Sequence, residues 1–406
     1  MTASSDRDKT GLSANEGRAH IERGARIYIY GNGVAGRWLW SELDQLGMAP
    51  TAFIDTDVKK QPSGFGFPTI SVANAEMELN PSDLIIIAAV DIHEILNIKW
   101  QTSLEVVPWV SLGEFAQLLF KAGVSPPTNE FDNYALSVVI ECHERLLDPE
   151  DLYLRSVDVM ITEKCSLRCR DCANLMQYYE APKDVSTDGI IAALNWLLST
   201  VDGVHELRLI GGEPFMNKKI YEIIEEICSL SGFEKLVIYT NGMVPLKESQ
   251  KDLMSHPKII FSVTDYGALA KNTHAVVEQL EEWGCTYRVH PPEHWTDSGR
   301  IMHHGRSDEA NQRLFDECCG KNLWTISDQG FGRCPFSLNA AHLGVASFDG
   351  VDNVPVGSKD DLRAYTQNSR FLPVCDLCNG RSFSSPEIIP AIQVSSPIPI
   401  ETSLYK

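Results

Sequence analysis

Short apolar runs alternate with stretches of helical period along most of the chain. Arg26–Tyr30 reads as a strand, and Trp38, Leu39, Leu43 and Leu46 then recur at the spacing of one helix face. Thr51–Asp55 reads as a second strand ending in an acid, Asp83–Val90 as a third and buried strand, and Val106–Val110 as a fourth, with a helix over Ile92–Trp100. This alternation predicts a small parallel sheet. A stretch containing Pro, Asn and Asp, Ser125–Asn133, marks a boundary, and residues 134–147 look helical. The alternation then restarts. Strands are predicted at Val157–Thr162, Leu207–Ile210, Leu236–Tyr239, Ile259–Val263 and Thr286–His290. Helices are predicted at Ile190–Leu198, Ile220–Leu230, Leu246–Met254 and His274–Trp283. Repeated βα units of this length predict an incomplete parallel barrel whose chemistry gathers at the C-terminal ends of its strands. Farther on, Trp324–Ser327 and Phe331–Arg333 flank Asp328-Gln329-Gly330 as a hairpin.

Composition narrows the partners. A net charge of −20 without a Lys/Arg run disfavours nucleic acid and anionic membrane. The N-terminus lacks an apolar segment of the kind that directs secretion, and no apolar run is long enough to span a bilayer. Eleven cysteines, an odd number, argue against a disulfide framework and for a reducing, cytoplasmic setting. Cys142, Cys228 and Cys285 are scattered in apolar surroundings and read as core residues. The others cluster.

Cys165-Ser-Leu-Arg-Cys169-Arg-Asp-Cys172 places three thiols within eight residues. Three thiolates can hold three irons of a cubane and leave the fourth iron open, whereas a cluster that only carries electrons is normally held by four. A structural zinc would want a fourth Cys or His nearby, and none follows at ordinary ligand spacing. Lys164, Arg168 and Arg170 flank the triplet, where cations stabilise thiolates.

The triplet resembles the signature of the radical S-adenosylmethionine (radical SAM) enzymes. The resemblance extends over roughly residues 155–380. It implies a 4Fe–4S cluster whose open iron is chelated by S-adenosylmethionine. One-electron cleavage of that cofactor gives a 5′-deoxyadenosyl radical that abstracts hydrogen from the substrate. Leu209-Ile-Gly211-Gly212-Glu213-Pro214 looks like the segment holding the cofactor's amino group, and Tyr239-Thr-Asn241-Gly242 like the end of a later barrel strand. A reducing partner such as flavodoxin or ferredoxin is implied as well.

A second set comprises Cys318, Cys319, Cys334, Cys375 and Cys378, around the hairpin. Four thiolates close a tetrahedral zinc site or a four-cysteine cluster. The pattern resembles the twitch domain, a short form of the SPASM domain, which holds an auxiliary 4Fe–4S cluster. Of the adjacent pair, Cys319 is favoured as ligand because it is nearer the hairpin, with Cys318 the alternative.

The expected fold class is α/β throughout. A Rossmann-like sheet covers residues 25–124, a linker and bracing helix 125–154, a partial (β/α)6 radical SAM barrel 155–310 and a twitch-like domain 311–383. Residues 1–24 are expected to be disordered, and 384–406 to be an extended strap or disordered. In the first domain Gly31, Gly33 and Gly36 lie at a strand-to-helix turn, with Asp55 placed to hold ribose hydroxyls. The segment resembles short domains attached to sugar-modifying acyltransferases and methyltransferases. A dinucleotide, another nucleotide or a purely architectural role all remain open for this turn.

The expected substrate is a polar small molecule: a carbohydrate, aminocyclitol or nucleotide sugar. Asp265, Tyr266 and His290 are the acid/base candidates at strand ends. Polar groups over Arg288–Trp295 (including His294), with Arg300, His303, His304 and Arg306, are candidate substrate contacts. Oxidation, with the auxiliary cluster accepting an electron, leads. The alternatives are epimerisation through a thiol of the Cys318/Cys319 pair, modification of a peptide, and a non-enzymatic iron–sulfur carrier or zinc scaffold.

Overall fold

A computed structural model of the protein describes residues 11–56, 66–148, 151–292, 295–382 and 385–400. The chain divides into two units, residues 1–153 and 154–406.

The first unit runs α1 (Ala14–Glu22), β1 (Ile27–Tyr30), α2 (Val34–Gln45), β2 (Ala52–Ile54), β3 (Thr69–Ile70), α3 (Val72–Glu78), β4 (Leu84–Ile87), α4 (Ile92–Trp100), β5 (Trp109–Ser111), α5 (Leu112–Lys121) and α6 (Glu130–Leu146). Its strands form a parallel sheet in the order β3-β2-β1-β4-β5. Alternate residues feed two cores. Ile27, Ile29, Leu84 and Ile86 pack with Leu39, Leu43, Phe115 and Val139. Tyr28, Tyr30, Ile85 and Ile87 pack with Ile92 and Leu96. A sheet covered on both sides explains why these strands read as continuous apolar runs.

Three expectations for this unit need correction. Residues 14–22 are helical: Ser13 and Glu16 form a capping box, and the Leu12 N–H donates to the Trp109 carbonyl at 2.8 Å. Ser-x-x-Glu was the available signal, and it was outweighed by the polarity of the surrounding stretch. Residues 1–10 lie outside those described. Next, α6 belongs to the core of this unit through Leu136 and Val139, so it is not merely a linker. Finally, Leu46 caps the end of α2 and is about half exposed, off the helix's apolar face.

The second unit contains β6 (Tyr153–Met160), α7 (Thr187–Thr200), β7 (Gly203–Ile210), α8 (Ile220–Ser229), β8 (Phe233–Thr240), α9 (Lys251–Met254), β9 (Ile259–Thr264), α10 (Thr273–Glu282), β10 (Thr286–His290), α11 (Asp308–Asp316), β11 (Thr325–Ile326), β12 (Gly330–Gly332), α12 (Pro335–His342), β13 (Asn353–Pro355) and α13 (Lys359–Gln367). One sheet holds all eight strands, in the order β10-β9-β8-β7-β6-β11-β12-β13. β7 to β10 pair in parallel. β11 joins parallel to β6 at the other side, with Asp158 opposite Thr325 and Val159 opposite Ile326. The predicted hairpin forms as antiparallel β11 and β12, so the cysteine-bearing region continues the barrel sheet.

The helix expected at Leu246–Met254 is reduced to α9 and a preceding turn. There, the Leu246 N–H donates to the Gln279 side chain at 3.1 Å and the Lys247 N–H to the Tyr221 hydroxyl at 2.9 Å. Side chains thus take the donors a first helical turn would leave unpaired. Among the described residues, no helix is long and apolar enough to cross a membrane.

Candidate active site

Four strand-end loops meet around one cavity of about 410 Å³ in the second unit. Its walls include Cys165, Cys169 and Cys172 after β6, Gly211–Glu213 after β7, Asn241 after β8, and Tyr266 beyond β9. His290 closes the row at the end of β10.

The glycines let the loops interleave. A Cβ on Gly211 would overlap the Thr162 carbonyl oxygen, and one on Gly212 the Lys164 carbonyl oxygen. Gly211 also has φ +151°, a region that side chains avoid. Backbone bonds close the gap: Gly212 N–H to Thr162 O at 3.0 Å and Glu213 N–H to Lys164 O at 2.8 Å. Thr162 and Lys164 in turn hold Asp184, at 2.8 and 2.6 Å. Backbone contact with the turn after β7 therefore fixes the start of the cysteine loop.

Glu213 is only 1% exposed. Its carboxylate accepts from the Thr240 hydroxyl and the Asn241 N–H, each at 2.8 Å, and from the Phe215 N–H at 3.2 Å. Burial nevertheless pushes its carboxyl up to about 7. The Asn241 amide donates to Ser166 Oγ at 3.0 Å and approaches Cys165 Sγ at 3.8 Å. β7, β8 and the cysteine loop are thereby tied through two side chains.

Each sulfur of the triplet has N–H donors. Cys165 receives the Leu167 N–H at 3.4 Å, Cys169 the Gln393 amide at 3.3 Å, and Cys172 the backbone N–H groups of Asn174, Leu175 and Met176. Burial raises all three thiols, Cys169 to about 11. These thiols are thus neutral by themselves and need a metal's positive charge to become thiolates. Among the described residues, no three His, Cys, Asp or Glu side chains converge on a point for a single ion. A cubane instead takes one thiolate at each iron corner. The triplet, with its three sets of N–H donors, fits such a group.

Asp171 lines the cavity, whereas Arg300, His303 and Arg306, candidate substrate contacts, do not and have set partners. Asp171 is buried between Arg170 and Arg300, at 2.9 and 2.7 Å. Burial would raise its carboxyl, but the two guanidiniums hold it below the ordinary value. Arg300, expected to contact substrate, is thus tied to the cysteine loop. Arg306 and His303 lean on Asp376 instead, at 3.9 and 3.5 Å. Glu293 and His294 lie outside the described residues.

The acid/base candidates separate. Tyr266 and His290 line the cavity. The His290 ring accepts from or donates to Ser262 Oγ at 3.2 Å. Asp265 is exposed, accepts the Gly267 N–H at 2.8 Å and is not among the lining residues.

One acid of the wall lies outside the motifs and strand ends named above. Asp158 lies inside β6 and lines the cavity, 3.8 Å from Arg208, which also grips Glu206. Burial raises its carboxyl to about 6, against the pull of Arg208. An acid within Val157-Asp158-Val159, flanked by buried apolar residues, was the available signal.

The second cysteine set also adjoins this cavity, which Ser298, Pro335 and Arg381 help to line. Cys334 caps α12, with the Ser337 N–H on its sulfur at 3.4 Å. Cys378 receives the Gly380 N–H at 3.1 Å and lies 3.9 Å from the Ser298 carbonyl. Cys318, Cys334 and Cys375 lie near enough to Cys378 to disfavour its ionisation, and Cys318 does the same to Cys334 and Cys375. Cys319, favoured from sequence, is exposed. Its N–H pairs with the Arg381 carbonyl at 2.7 Å, while Cys318 joins the other three. Nearness to the hairpin along the chain did not decide which of two adjacent residues faces inward. These four are as well supplied with sulfur as a four-cysteine cluster requires.

The glycine turn of the first unit is built differently. Gly31 has φ +112°, and a Cβ there would lie 2.9 Å from the Ala89 nitrogen. A Cβ on Gly36 would overlap the Gly31 carbonyl oxygen, while Gly33 faces open space. Asp55 is 5% exposed and accepts the Asn32 N–H at 2.9 Å.

Residues 159–263 match the profile of the Radical SAM superfamily, and this segment belongs to it. The superfamily uses a 4Fe–4S cluster with S-adenosylmethionine. GTP 3',8-cyclase of Clostridium acetobutylicum is 34% identical over 116 residues, 28% of this chain and 33% of that protein. Molybdenum cofactor biosynthesis protein 1 of Dictyostelium discoideum is 36% identical over 94 residues, 23% of this chain and 14% of that protein. The chain thus covers well under two thirds of either relative. Among solved structures, BtrN in complex with AdoMet and 2-DOIA is 15% identical with a TM-score of 0.39, over 56% of this chain and 93% of that one. SuiB of Streptococcus suis bound to precursor peptide SuiA is 14% identical with a TM-score of 0.28, over 43% of each chain.

Proposed function

We propose that the protein is a radical SAM oxidoreductase that takes a hydrogen atom from a C–H bond of a polar small molecule and passes an electron to an auxiliary cluster. The observation that carries this reading is one cavity lined both by the Cys165–Cys172 loop and by Pro335 and Ser298, which adjoin Cys334 and Cys378. When bound, the cluster and S-adenosylmethionine supply the radical that removes the hydrogen atom. Cys165, Cys169 and Cys172 would hold the first cluster. Gly212, Glu213 and Asn241 shape the space for the cofactor. Cys318, Cys334, Cys375 and Cys378 would hold the second.

Oxidation of an alcohol carbon to a ketone releases a hydrogen atom, a proton and an electron. Asp158 and His290 are the wall groups suited to take the proton, and burial raises the proton affinity of the Asp158 carboxylate. Tyr239, Tyr266 and Arg381 supply further polar surface for a hydroxylated or amino-bearing substrate. A reductant such as flavodoxin or ferredoxin would feed the first cluster.

The cyclase relatives favour a second reading, in which the substrate is a purine nucleoside triphosphate. Anaerobic reaction of the iron-loaded protein with S-adenosylmethionine, dithionite and candidate substrates separates these. Formation of 5′-deoxyadenosine with a product two hydrogens lighter supports the oxidoreductase. Consumption of GTP supports the cyclase reading, and an unchanged mass with solvent deuterium uptake supports epimerisation. Absence of 5′-deoxyadenosine sinks the radical reading.

A further inference from the structure

The C-terminal segment is a strap, and it crosses the cysteine loop. The Ile388 N–H donates to the Trp295 carbonyl at 2.8 Å, the Arg170 N–H to Ile392 at 2.7 Å, the Val394 N–H to Arg168 at 2.9 Å and the Ile398 N–H to Gln177 at 2.8 Å. Cys169 and Gln393 form an antiparallel bridge. Ala391, at φ +56°, packs into an apolar cluster with Leu167 and Cys169, against which Cys165, Cys172, Tyr266 and Trp295 lie. The loop between its cysteines has little regular structure of its own, so these bonds supply an edge that it otherwise lacks.

Gln393 does two things at once. Its Oε1 accepts the Arg168 N–H at 2.8 Å, and its Nε2 donates to Cys169 Sγ at 3.3 Å and to the Ala391 carbonyl at 2.7 Å. A side-chain amide is fixed in orientation by this pattern, because only its oxygen accepts and only its nitrogen donates. The nitrogen is therefore aimed at the sulfur.

We propose that residues 388–398 clasp the Cys165–Cys172 loop, and that Gln393 is a positioning residue whose N–H···S bond sets the electronic character of Cys169 and of the cluster it would hold. The second half rests on the reading of this loop as a cluster site; the clasp itself does not. Hydrogen bonds to cluster sulfurs favour the more electron-rich, reduced state and so raise the reduction potential.

Two variants separate the parts. Gln393→Glu keeps the acceptor for the Arg168 N–H and removes the donor to Cys169. Gln393→Leu removes both. In the loaded protein, redox titration followed by electron paramagnetic resonance isolates the signal that changes on adding S-adenosylmethionine. Both variants should lower its reduced-to-oxidised ratio at fixed poise by about threefold, about 28 mV at 59 mV per tenfold for one electron. An unchanged potential in both overturns the role of Gln393. The clasp is read on metal-free protein by amide exchange. A chain ending at Ser385 should exchange the Arg168 and Arg170 amides at least tenfold faster, and Gln393→Leu the Arg168 amide alone. Unchanged exchange overturns the clasp. A wild-type protein with no signal responsive to S-adenosylmethionine would defeat the cluster reading and the electronic role of Gln393, while exchange would still judge the clasp.

Discussion

Both units place glycines and an acid where a parallel strand turns into the next element, yet the two turns do opposite things. In the first, Gly31 and Gly36 pack against Ala89 and against the turn itself, and Asp55 is satisfied by Asn32 next door. In the second, Gly211 and Gly212 admit a foreign loop, and that loop carries three cysteines into a cavity. A glycine motif thus reports close approach of backbone, and the approaching segment decides whether chemistry follows.

The sharpest test of this contrast is a methyl group. Gly212→Ala should push the Cys165 loop outward, with cofactor cleavage falling by about 10²-fold or more, since a displacement near 1 Å is enough for that. Gly33→Ala, facing open space at the N-cap of α2, should leave activity within error and cost about 1 kcal/mol or less in stability. Equal effects of the two would erase the distinction.

Asp158→Asn removes the acid while keeping its shape. Substrate turnover should fall by about 10²-fold, while 5′-deoxyadenosine formation uncoupled from substrate persists. Loss of both activities together would make Asp158 structural.

Iron counts come next. Cys334→Ser should lower content from about eight to about four irons per chain, since each cluster carries about four. Cys319→Ser should leave it unchanged. The reverse outcome would restore Cys319 as the ligand.

The smallest effects are in stability, and they have opposite signs in the two units. His143 donates from Nε2 to Ala89 O at 2.7 Å, and burial lowers it to about 4. Between pH ~4 and ~6.5 the unfolded chain binds a proton that folded His143 refuses, so stability of the first unit rises with pH. Asp158, raised to about 6, keeps a proton in the fold that the unfolded chain has released above pH ~4. Its contribution therefore falls as pH rises toward 6. Each slope is on the order of 1 kcal/mol per pH unit. Amide exchange resolved by unit at pH 4.5 and 6.5 would read both, and His143→Asn and Asp158→Asn should flatten their own unit alone.

Most strands were legible because burial on both faces writes itself as unbroken apolar runs; the two- and three-residue β3 and β13 carry no such run, and the strand expected from Val106 begins only at Trp109. The cysteine triplet was legible because its spacing is local. The strap was not: Gln393 meets Cys169 across 224 residues, through a stretch with Pro and Ser but no periodic pattern. Asp158 was hidden for another reason, since one acid in an apolar strand looks the same whether it faces a helix or a cavity. The Cys318/Cys319 choice needed the orientation of a single peptide, below the resolution of any spacing rule.

The pairing of β6 with β11 has one more consequence. Because Asp158 pairs with Thr325 within a single sheet, the strand that leads into the Cys165 loop and the strand that opens the hairpin before Cys334 keep a gap of one strand spacing, about 4.8 Å, like teeth on a fixed comb. Insertions in the intervening loops can lengthen the chain without altering that gap. Variation in the loops beyond these strands would therefore reshape the cavity's walls while leaving the two strands in register.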